Sequence, residues 1–176
     1  MNSLFKIIFI ITLIHTKTYA ENTEEHKLQP GDVISISTFN EPDLSFSSIK
    51  INENGYFSFP FAKDIDARGK TVGDIEKYLT EKITGSYLKN PIISVTLLSY
   101  NDIYVGGDII NPGKYPYEPQ ITVYKLISLA GGTSKLGFKE RAYITRETNE
   151  KSITFIANID EKLEPGDIVR IKKSLL

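Results

Sequence analysis

One short phrase occurs twice in this chain and constrains the fold more than any other feature. Residues 28–36 read LQPGDVISI and residues 163–171 read LEPGDIVRI, with five of nine positions identical. Proline and glycine are preferred in tight turns, and the aspartate that follows can accept hydrogen bonds from nearby backbone N–H groups. A β-branched run comes next, which is typical of a strand. The sequence therefore predicts the same turn-then-strand unit twice, by duplication or by independent origin.

The first twenty residues are predicted to lie outside the fold. Lys6 supplies a positive charge, residues 7–14 are an apolar stretch, and Ala20 ends a TYA site suited to cleavage. This pattern predicts a secretory signal peptide over residues 1–20. An uncleaved membrane anchor is the less favoured alternative, because the apolar stretch is far shorter than the roughly 20 residues that cross a bilayer.

Composition argues against several classes of function. Without Lys6 and Lys17, 19 of the 21 basic residues remain against 22 acidic ones, which gives no electrostatic case for nucleic-acid binding. The chain has no cysteine, so disulfides, a lipoprotein anchor and thiolate zinc sites are excluded. His26 is the single histidine after residue 20, so no histidine metal site and no Ser-His-Asp arrangement is expected. No metal and no cofactor are predicted.

The pattern over residues 26–100 predicts strands and one packed helix. Strands are expected at 33–38 and in PIISVTLLSY, and SIKI and YFSF are expected to pair as a hairpin around NENG, ended by Pro60. Thr71 is a helix N-cap. Residues 21–27 are expected to be a disordered polar tail, and residues 39–46 a loop. The apolar residues after the cap share one helical face: Val72, Ile75, Leu79 and Ile83.

The pattern over residues 101–176 predicts a second unit of strands around a shorter helix. A strand broken by Gly106 and Gly107 precedes the turn NPGKY, and Thr122 caps a helix that the AGG run ends. RAYITR, SITFIA and the stretch after LEPGD are strands. A short helix across a mixed sheet is typical of a β-grasp-like module. The predicted fold class is α+β with two small domains.

Two sets of side chains suggest chemistry without fixing it. A carboxylate pair would be needed for glycoside cleavage, but no spacing singles one out, and solvated surface is the preferred interpretation of the acids. Tyrosines offer flat faces to sugar rings or neighbouring subunits, although half-buried strand positions are preferred for any single one. The acids are Asp32, Glu41, Asp43, Asp64, Asp108 and Asp167, and the tyrosines are Tyr56, Tyr87, Tyr100, Tyr104, Tyr115 and Tyr117.

These phrases, in this order, resemble the bacterial outer-membrane polysaccharide export protein family. LQPGDVISI, EPDLS, INENGYFSFP, GKTVGDIEKYL and KNPIISVTL are similar to its polysaccharide export domain, over residues 26–100. IYVGGDIINPGKY, TVYKLISLAGG and YITR are similar to its soluble-ligand-binding β-grasp (SLBB) module, over residues 101–176. The positions that match the family's motifs, with structural or assembly roles implied, are Pro30, Gly31, Asp32, Pro42, Leu44, Ser45, Gly55, Pro60, Gly69, Thr71, Pro91, Gly107, Pro112, Gly113, Tyr115, Ala130, Gly131, Gly132 and Arg146.

The resemblance implies a non-catalytic role in exporting capsule or exopolysaccharide. Family members form ring-shaped oligomers in the periplasm and outer membrane, so the implied partners are polysaccharide, copies of this chain and an inner-membrane polysaccharide copolymerase. This sequence has no lipobox cysteine, one β-grasp module rather than several, and no amphipathic helix before Leu176. A periplasmic protein that relies on a separate outer-membrane barrel protein is therefore expected. A soluble glycan-binding module and a glycan-cleaving enzyme are the alternatives.

Overall fold

The computed structural model describes residues 25–133, 141–148 and 151–172, which form three β-sheets and two α-helices. The predicted signal peptide lies outside the described residues. Separate sheets combined with helices confirm the predicted α+β class. The helices are α1, Val72–Ile83, and α2, Val123–Leu129. The strands are β1 Val33–Thr38, β2 Phe46–Lys50, β3 Tyr56–Phe59, β4 Ala62–Asp66, β5 Ile93–Ser99, β6 Ile103–Gly107, β7 Gly113–Tyr115, β8 Arg141–Glu147, β9 Ser152–Ala157 and β10 Ile168–Lys172.

Helix α1 covers the first sheet, in which β1 lies between antiparallel β2 and β5. Its predicted apolar face is confirmed: Ile75, Leu79 and Ile83 are fully buried with the core side chains of β1 and β5. The predicted cap is also present. The Thr71 hydroxyl accepts the Asp74 N–H at 3.2 Å, and the Asp74 carboxylate accepts the Thr71 N–H at 3.0 Å. This reciprocal pair satisfies two donors at the helix start that would otherwise lack partners.

The predicted hairpin of SIKI with YFSF is wrong. Strand β2 pairs with β1, whereas β3 pairs with β4 in a two-stranded sheet of their own. The turn is nonetheless closed locally, because the Asn52 side-chain oxygen accepts the N–H groups of Asn54 and Tyr56. Strand β4 was not predicted because Lys63 and Asp64 interrupt its apolar alternation, Asp64 with a positive φ of 51°.

The second sheet has the strand order β7-β6-β10-β8-β9, with β6 and β10 parallel at its centre. Helix α2 buries Val123, Leu126 and Ile127 among the inward side chains of these strands, so a short helix packs on a mixed sheet, as predicted. The predicted break falls at the second glycine, since β6 includes Gly106 and ends at Gly107. At Gly107, φ is +91° and an added Cβ would overlap the Ile171 carbonyl oxygen, so glycine permits close approach of β10.

The buried apolar side chains form two separate clusters. The first contains residues between Leu28 and Val95, and the second contains residues between Ile103 and Ile171. The clusters share no side chain, and the chain passes from one to the other through a short segment that includes Asn101. Within the described ranges, neither helix combines the length and the apolar character that a membrane crossing requires.

Candidate functional site

The two PGD turns have the same local structure. The Asp32 N–H donates to the Gln29 carbonyl at 3.2 Å, and the Asp32 carboxylate accepts the Gln29 N–H at 2.9 Å. In the second turn the Asp167 N–H donates to the Glu164 carbonyl at 3.2 Å, and the Asp167 carboxylate accepts the Glu164 N–H at 2.8 Å. Each aspartate therefore closes its own turn from both sides, which explains why the phrase carries aspartate at this position.

Both aspartates are fully buried, so interpreting them as solvated surface is wrong for Asp32 and Asp167. A buried carboxylate is retained only where hydrogen bonds or charges compensate its lost hydration. Asp32 obtains them from outside its turn. His26 Nε2 lies 2.7 Å from Oδ2, and the Asn101 N–H donates to Oδ1 at 2.7 Å. The first turn is thereby tied to the segment that joins the two clusters.

Asp167 is compensated by an arginine of its own sheet. Arg146 donates Nε to Oδ1 and Nη2 to Oδ2, both at 2.8 Å, and also contacts Glu164. Such two-point pairing is among the strongest charge-assisted interactions in proteins. It also raises the pKa of Arg146 above its ordinary value, through the hydrogen bond with Asp167. Arg146 was predicted as a motif position, and here it holds the second turn in place.

The side chain of Asn101 lies against both turns. Gly31 has a φ of +95°, and an added Cβ there would overlap the Asn101 side-chain oxygen. Gly166 has a φ of +84°, and a Cβ there would stand 2.9 Å from the Asn101 side-chain nitrogen. Both glycines accept a backbone angle that other residues rarely adopt, and both leave room for the same side chain. The two copies of the repeated phrase therefore lie close together in the fold, and both contact the side chain of Asn101.

The place where the two PGD turns meet the Asn101 side chain is called the junction below, and aromatic rings extend it. The rings of His26 and Tyr100 meet edge to face at 4.7 Å between centroids, and Tyr100 meets Tyr117 in the same way at 5.1 Å. Burial raises the pKa of Tyr117, which packs against the second cluster. The predicted disorder of residues 21–27 is wrong for His26, whose ring is held between Asp32 and Tyr100; residues 21–24 lie outside the described part of the chain.

A polar groove of about 730 Å³ runs beside the junction. Tyr56 forms part of its wall, with the Arg68 guanidinium 5.0 Å from the ring centroid and hydrogen-bonded to the Tyr56 hydroxyl at 2.9 Å. The side-chain hydrogen bond from Arg68 lowers the pKa of Asp66 from 3.8 to about 2. The lining residues are Lys27, Leu28, Gln29, Pro30, Glu53, Asn54, Tyr56, Arg68, Gly69, Asn101, Glu147, Thr148, Glu164, Pro165 and Gly166.

Comparison with known proteins supplies the family. Residues 20–98 match the family model described as "Polysaccharide biosynthesis/export protein". Over those residues, less than half of the chain, the sequence is similar to the polysaccharide export protein family. The predicted resemblance is therefore confirmed for this range, which contains the first PGD turn and nearly all of its sheet. The family is one of export proteins rather than of enzymes.

Two curated relatives agree with this assignment. The chain is 34% identical over 84 residues to exopolysaccharide production protein ExoF of Rhizobium meliloti (strain 1021), covering 47% of this chain and 20% of ExoF. It is 23% identical over 181 residues to EPS I polysaccharide export outer membrane protein EpsA of Ralstonia nicotianae (strain ATCC BAA-1114 / GMI1000), covering 84% of this chain and 47% of EpsA. The chain thus spans less than half the length of either relative.

Some motif positions within residues 26–100 lie in the junction and others lie apart from it. Pro30 and Gly69 line the groove, Gly31 faces the Asn101 side chain, and Asp32 accepts the Asn101 backbone N–H. Gly55 lies beside them, since its carbonyl accepts the Ala67 N–H and its Cβ position is filled by Arg68. Pro42, Leu44 and Ser45 form a separate corner after β1, Pro60 and Pro91 flank strands, and Thr71 caps α1.

The motif positions of the second sheet form their own corner. The Asn111 N–H donates to the Ala130 carbonyl, and the Ile110 N–H donates to the Gly132 carbonyl, both at 3.0 Å. The Tyr115 hydroxyl closes the turn on the Asn111 carbonyl at 2.8 Å. Pro112, Gly113, Tyr115, Ala130, Gly131 and Gly132 therefore belong together, away from the junction, whereas Arg146 lies at the second turn and Gly107 lies against β10.

Sequence reasoning missed two residues of the junction. His26 stands in a polar stretch with no structural pattern, and Asn101 stands between two strands in a segment without periodicity. For Asp167 the sequence did offer a signal, namely its place in the repeated phrase. Two turns of the same sequence need the same aspartate to close them. Among the described residues, no group of three or more His, Cys, Asp or Glu side chains is placed to hold a metal ion.

Proposed function

We propose that this chain is a non-catalytic component of a polysaccharide export machinery. It resides in the periplasm in association with the outer membrane, where it forms or joins an oligomeric conduit for capsule or exopolysaccharide. The observation that carries the proposal is the family match over residues 20–98. The name of the relative EpsA, an outer membrane export protein that aligns with 84% of the chain, supports the location.

The proposal divides the chain into an export domain at residues 26–100 and an SLBB β-grasp domain at residues 101–176. Two separate hydrophobic clusters support this division, and the mixed sheet crossed by α2 supports the β-grasp assignment. In this arrangement Asn101, clasped by both PGD turns, sets the angle between the two domains. A fixed angle matters in a ring, because an error within each subunit accumulates around the circle.

Subunit contacts are proposed at sheet edges. Strand β2 is an edge of the first sheet, and β7 and β9 are the edges of the second. Edge strands present unpaired backbone groups that can pair with another chain. The motif corner at Pro112 and Gly113 is exposed beside the β7 edge, which suits an assembly role for those positions.

Deletion of the gene tests the export function. We expect the strain to lose surface polysaccharide while precursor synthesis continues, and a plasmid copy to restore release. Undiminished release from the deletion strain, with no second homologue in the genome, would contradict the proposal.

Oligomer formation is tested separately by cysteine crosslinking. Because the chain has no cysteine, a Thr154→Cys/Lys114→Cys double variant carries one thiol on β9 and one on β7, and every crosslink joins engineered positions. Crosslinked ladders are expected from this double variant in cells that contain the whole machinery, because each subunit can join two neighbours. Thr154→Cys/Lys77→Cys, with the second thiol on the exposed side of α1, is the matched control and should form no ladder.

A soluble glycan-binding module is the second candidate, and the groove at the junction favours it. Amide, carboxylate and hydroxyl groups beside Tyr56 are the kinds of group that hold a sugar. Saturable binding of oligosaccharide by a monomer, combined with normal export from the deletion strain, would support this candidate over the first.

A further inference from the structure

The second sheet has one face that no described element covers. Helix α2 packs against the inward side chains of the sheet, such as Val169 and Ile144. On the opposite face, five side chains of β8, β9 and β10 lie together by strand register, and we call them the outer face. They are Arg141, Tyr143, Ile156, Arg170 and Lys172. All except the half-buried Tyr143 are exposed.

Three cations are concentrated on this outer face. Lys172 is directly opposite Arg141 in the register of β10 and β8. Arg170 is two residues earlier on β10 and lies on the same face. Like charges placed directly opposite across strands destabilise a sheet. Within the described residues, none of the three cations has a carboxylate within ion-pair distance. Among the described residues, no ion pair offsets this repulsion.

An aromatic and an apolar side chain lie among these cations. Tyr143 is opposite Arg170 on one side and opposite Ile156 on the other. The Lys172 ammonium lies 4.6 Å from the centroid of the Tyr143 ring, and Ile156 is 58% exposed. The face thus combines positive charge with a flat apolar surface. A chain of sugar rings bearing acidic groups offers the complementary combination, with apolar ring faces and anionic substituents.

Acidic side chains mark the limits of this positive surface. Asp160 and Glu161 line a concavity of about 710 Å³ that also includes Arg141 and Ile156. The junction groove contains the carboxylates of Glu53, Glu147 and Glu164 against the cations of Lys27 and Arg68, so its formal charge is negative where that of the outer face is positive. Of these two surfaces, the charge balance therefore selects the outer face for an anionic ligand.

We propose that the outer face binds an anionic polysaccharide, one whose repeating unit carries carboxylate or another acidic group. This inference rests on the proposed export function, and it adds the chemical class of the exported polymer. Arg141, Arg170 and Lys172 contact the acidic groups, while Tyr143 and Ile156 contact the faces of the sugar rings. Binding neutralises the cross-strand repulsion between Arg141 and Lys172.

The test measures binding of oligogalacturonate, as an acidic probe, and of maltooligosaccharides, as a neutral probe, to the processed protein purified from the periplasm. We expect oligogalacturonate to bind, to weaken steeply with added salt, and to lose at least tenfold in affinity in the triple variant R141Q/R170Q/K172Q. The matched control K50Q/K63Q/K89Q removes three exposed lysines of the export domain and should bind like the unmodified protein.

Each other outcome overturns the inference. It fails if oligogalacturonate does not bind, if the neutral probe binds equally well, or if both triple variants lose affinity alike. Polyglutamate that binds while oligogalacturonate does not would assign the outer face to an acidic protein instead. Far-ultraviolet circular dichroism confirms folding, and Tyr143→Ala provides a second test of the same face with all three cations in place.

Failure of this inference is distinguishable from failure of the export function. If the deletion strain loses export and the R141Q/R170Q/K172Q variant both restores it and binds oligogalacturonate normally, the export function stands and the anionic site falls. If deletion leaves export intact, the export function falls whatever the binding result.

Discussion

The two PGD turns share a backbone design and differ in what compensates the buried carboxylate. Asp167 pairs with Arg146, a permanently charged side chain on a strand of the same sheet. Asp32 pairs with His26, which is charged only when protonated, and with the backbone N–H of Asn101. The second turn therefore stabilises its own sheet, whereas the first connects its sheet to the segment that leads into the other.

The comparison shows that a local motif does not determine its tertiary role. Both turns present a carboxylate to the interior, since both close on the residue three positions earlier. Which donor arrives from elsewhere depends on the elements packed nearby, and a few residues supply that difference. The following predictions separate the two turns by stability, from the largest expected effect to the smallest.

Asp167→Ala should have the largest effect. It leaves the half-buried Arg146 guanidinium without its two-point partner and the Glu164 N–H without an acceptor, so we expect a loss of about 3–5 kcal/mol in the free energy of unfolding. Urea denaturation measures it. Asp167→Asn, which keeps acceptor capacity but no charge, should lose less, and equal losses would mean that the acceptor capacity without the charge contributes nothing.

Asp32→Ala should lower the free energy of unfolding by about 2–3 kcal/mol, because it removes a buried acceptor from the N–H groups of Gln29 and Asn101. Unlike Asp167→Ala, it leaves no permanently charged side chain without its partner. Urea denaturation again measures the change. His26→Ala is the companion variant and should cost less than Asp32→Ala, since it leaves both backbone donors paired. A loss from Asp32→Ala as large as that from Asp167→Ala would remove the distinction between the turns.

Gly31→Ala should destabilise by about 1–2 kcal/mol more than Gly69→Ala, within the range that overpacking costs, because an added Cβ at Gly31 also overlaps the Asn101 side chain. Both glycines have positive φ, and L residues pay about 1–2 kcal/mol there, but only Gly31 also faces the Asn101 side chain. At Gly69, nothing lies within 4 Å of an added Cβ, so it reports backbone strain alone. In an Asn101→Ala background the difference should shrink, and a thermal double-mutant cycle measures that coupling. An unchanged difference would show that the Asn101 side chain does not cause the extra destabilisation at Gly31.

Asp66→Asn should have the smallest effect and should depend on pH. The Asp66 pKa of about 2 lies below its usual 3.8, so the paired carboxylate stabilises the fold above about pH 4 and this contribution is lost as the pH falls through 2. Because the pair is exposed, less than about 1 kcal/mol is expected. The urea midpoint of the unmodified protein should therefore exceed that of the variant at pH 6, and the two midpoints should approach each other at pH 2. A constant difference would mean that the ion pair with Arg68 contributes nothing.

Local signals in the sequence predicted much of the secondary structure of the first sheet and its helix. The spacing of Ile75, Leu79 and Ile83 gave α1 its buried face, and Thr71 marked its start, because helical period and capping chemistry act over a few residues. Strand pairing was less accessible. The Asn54-Gly55 pair predicted a hairpin, yet β2 and β3 lie in different sheets, since pairing depends on partners distant in the chain.

The sequence alone determined that the phrase would fold the same way twice, because Pro, Gly and Asp fix a turn through backbone angles and hydrogen bonds within four residues. Only the tertiary structure brought those turns together at Asn101, gave Asp32 a histidine and Asp167 an arginine, and placed Arg141 opposite Lys172. Such contacts join residues far apart in sequence, and they are selected by the packing of whole sheets, which no local pattern encodes.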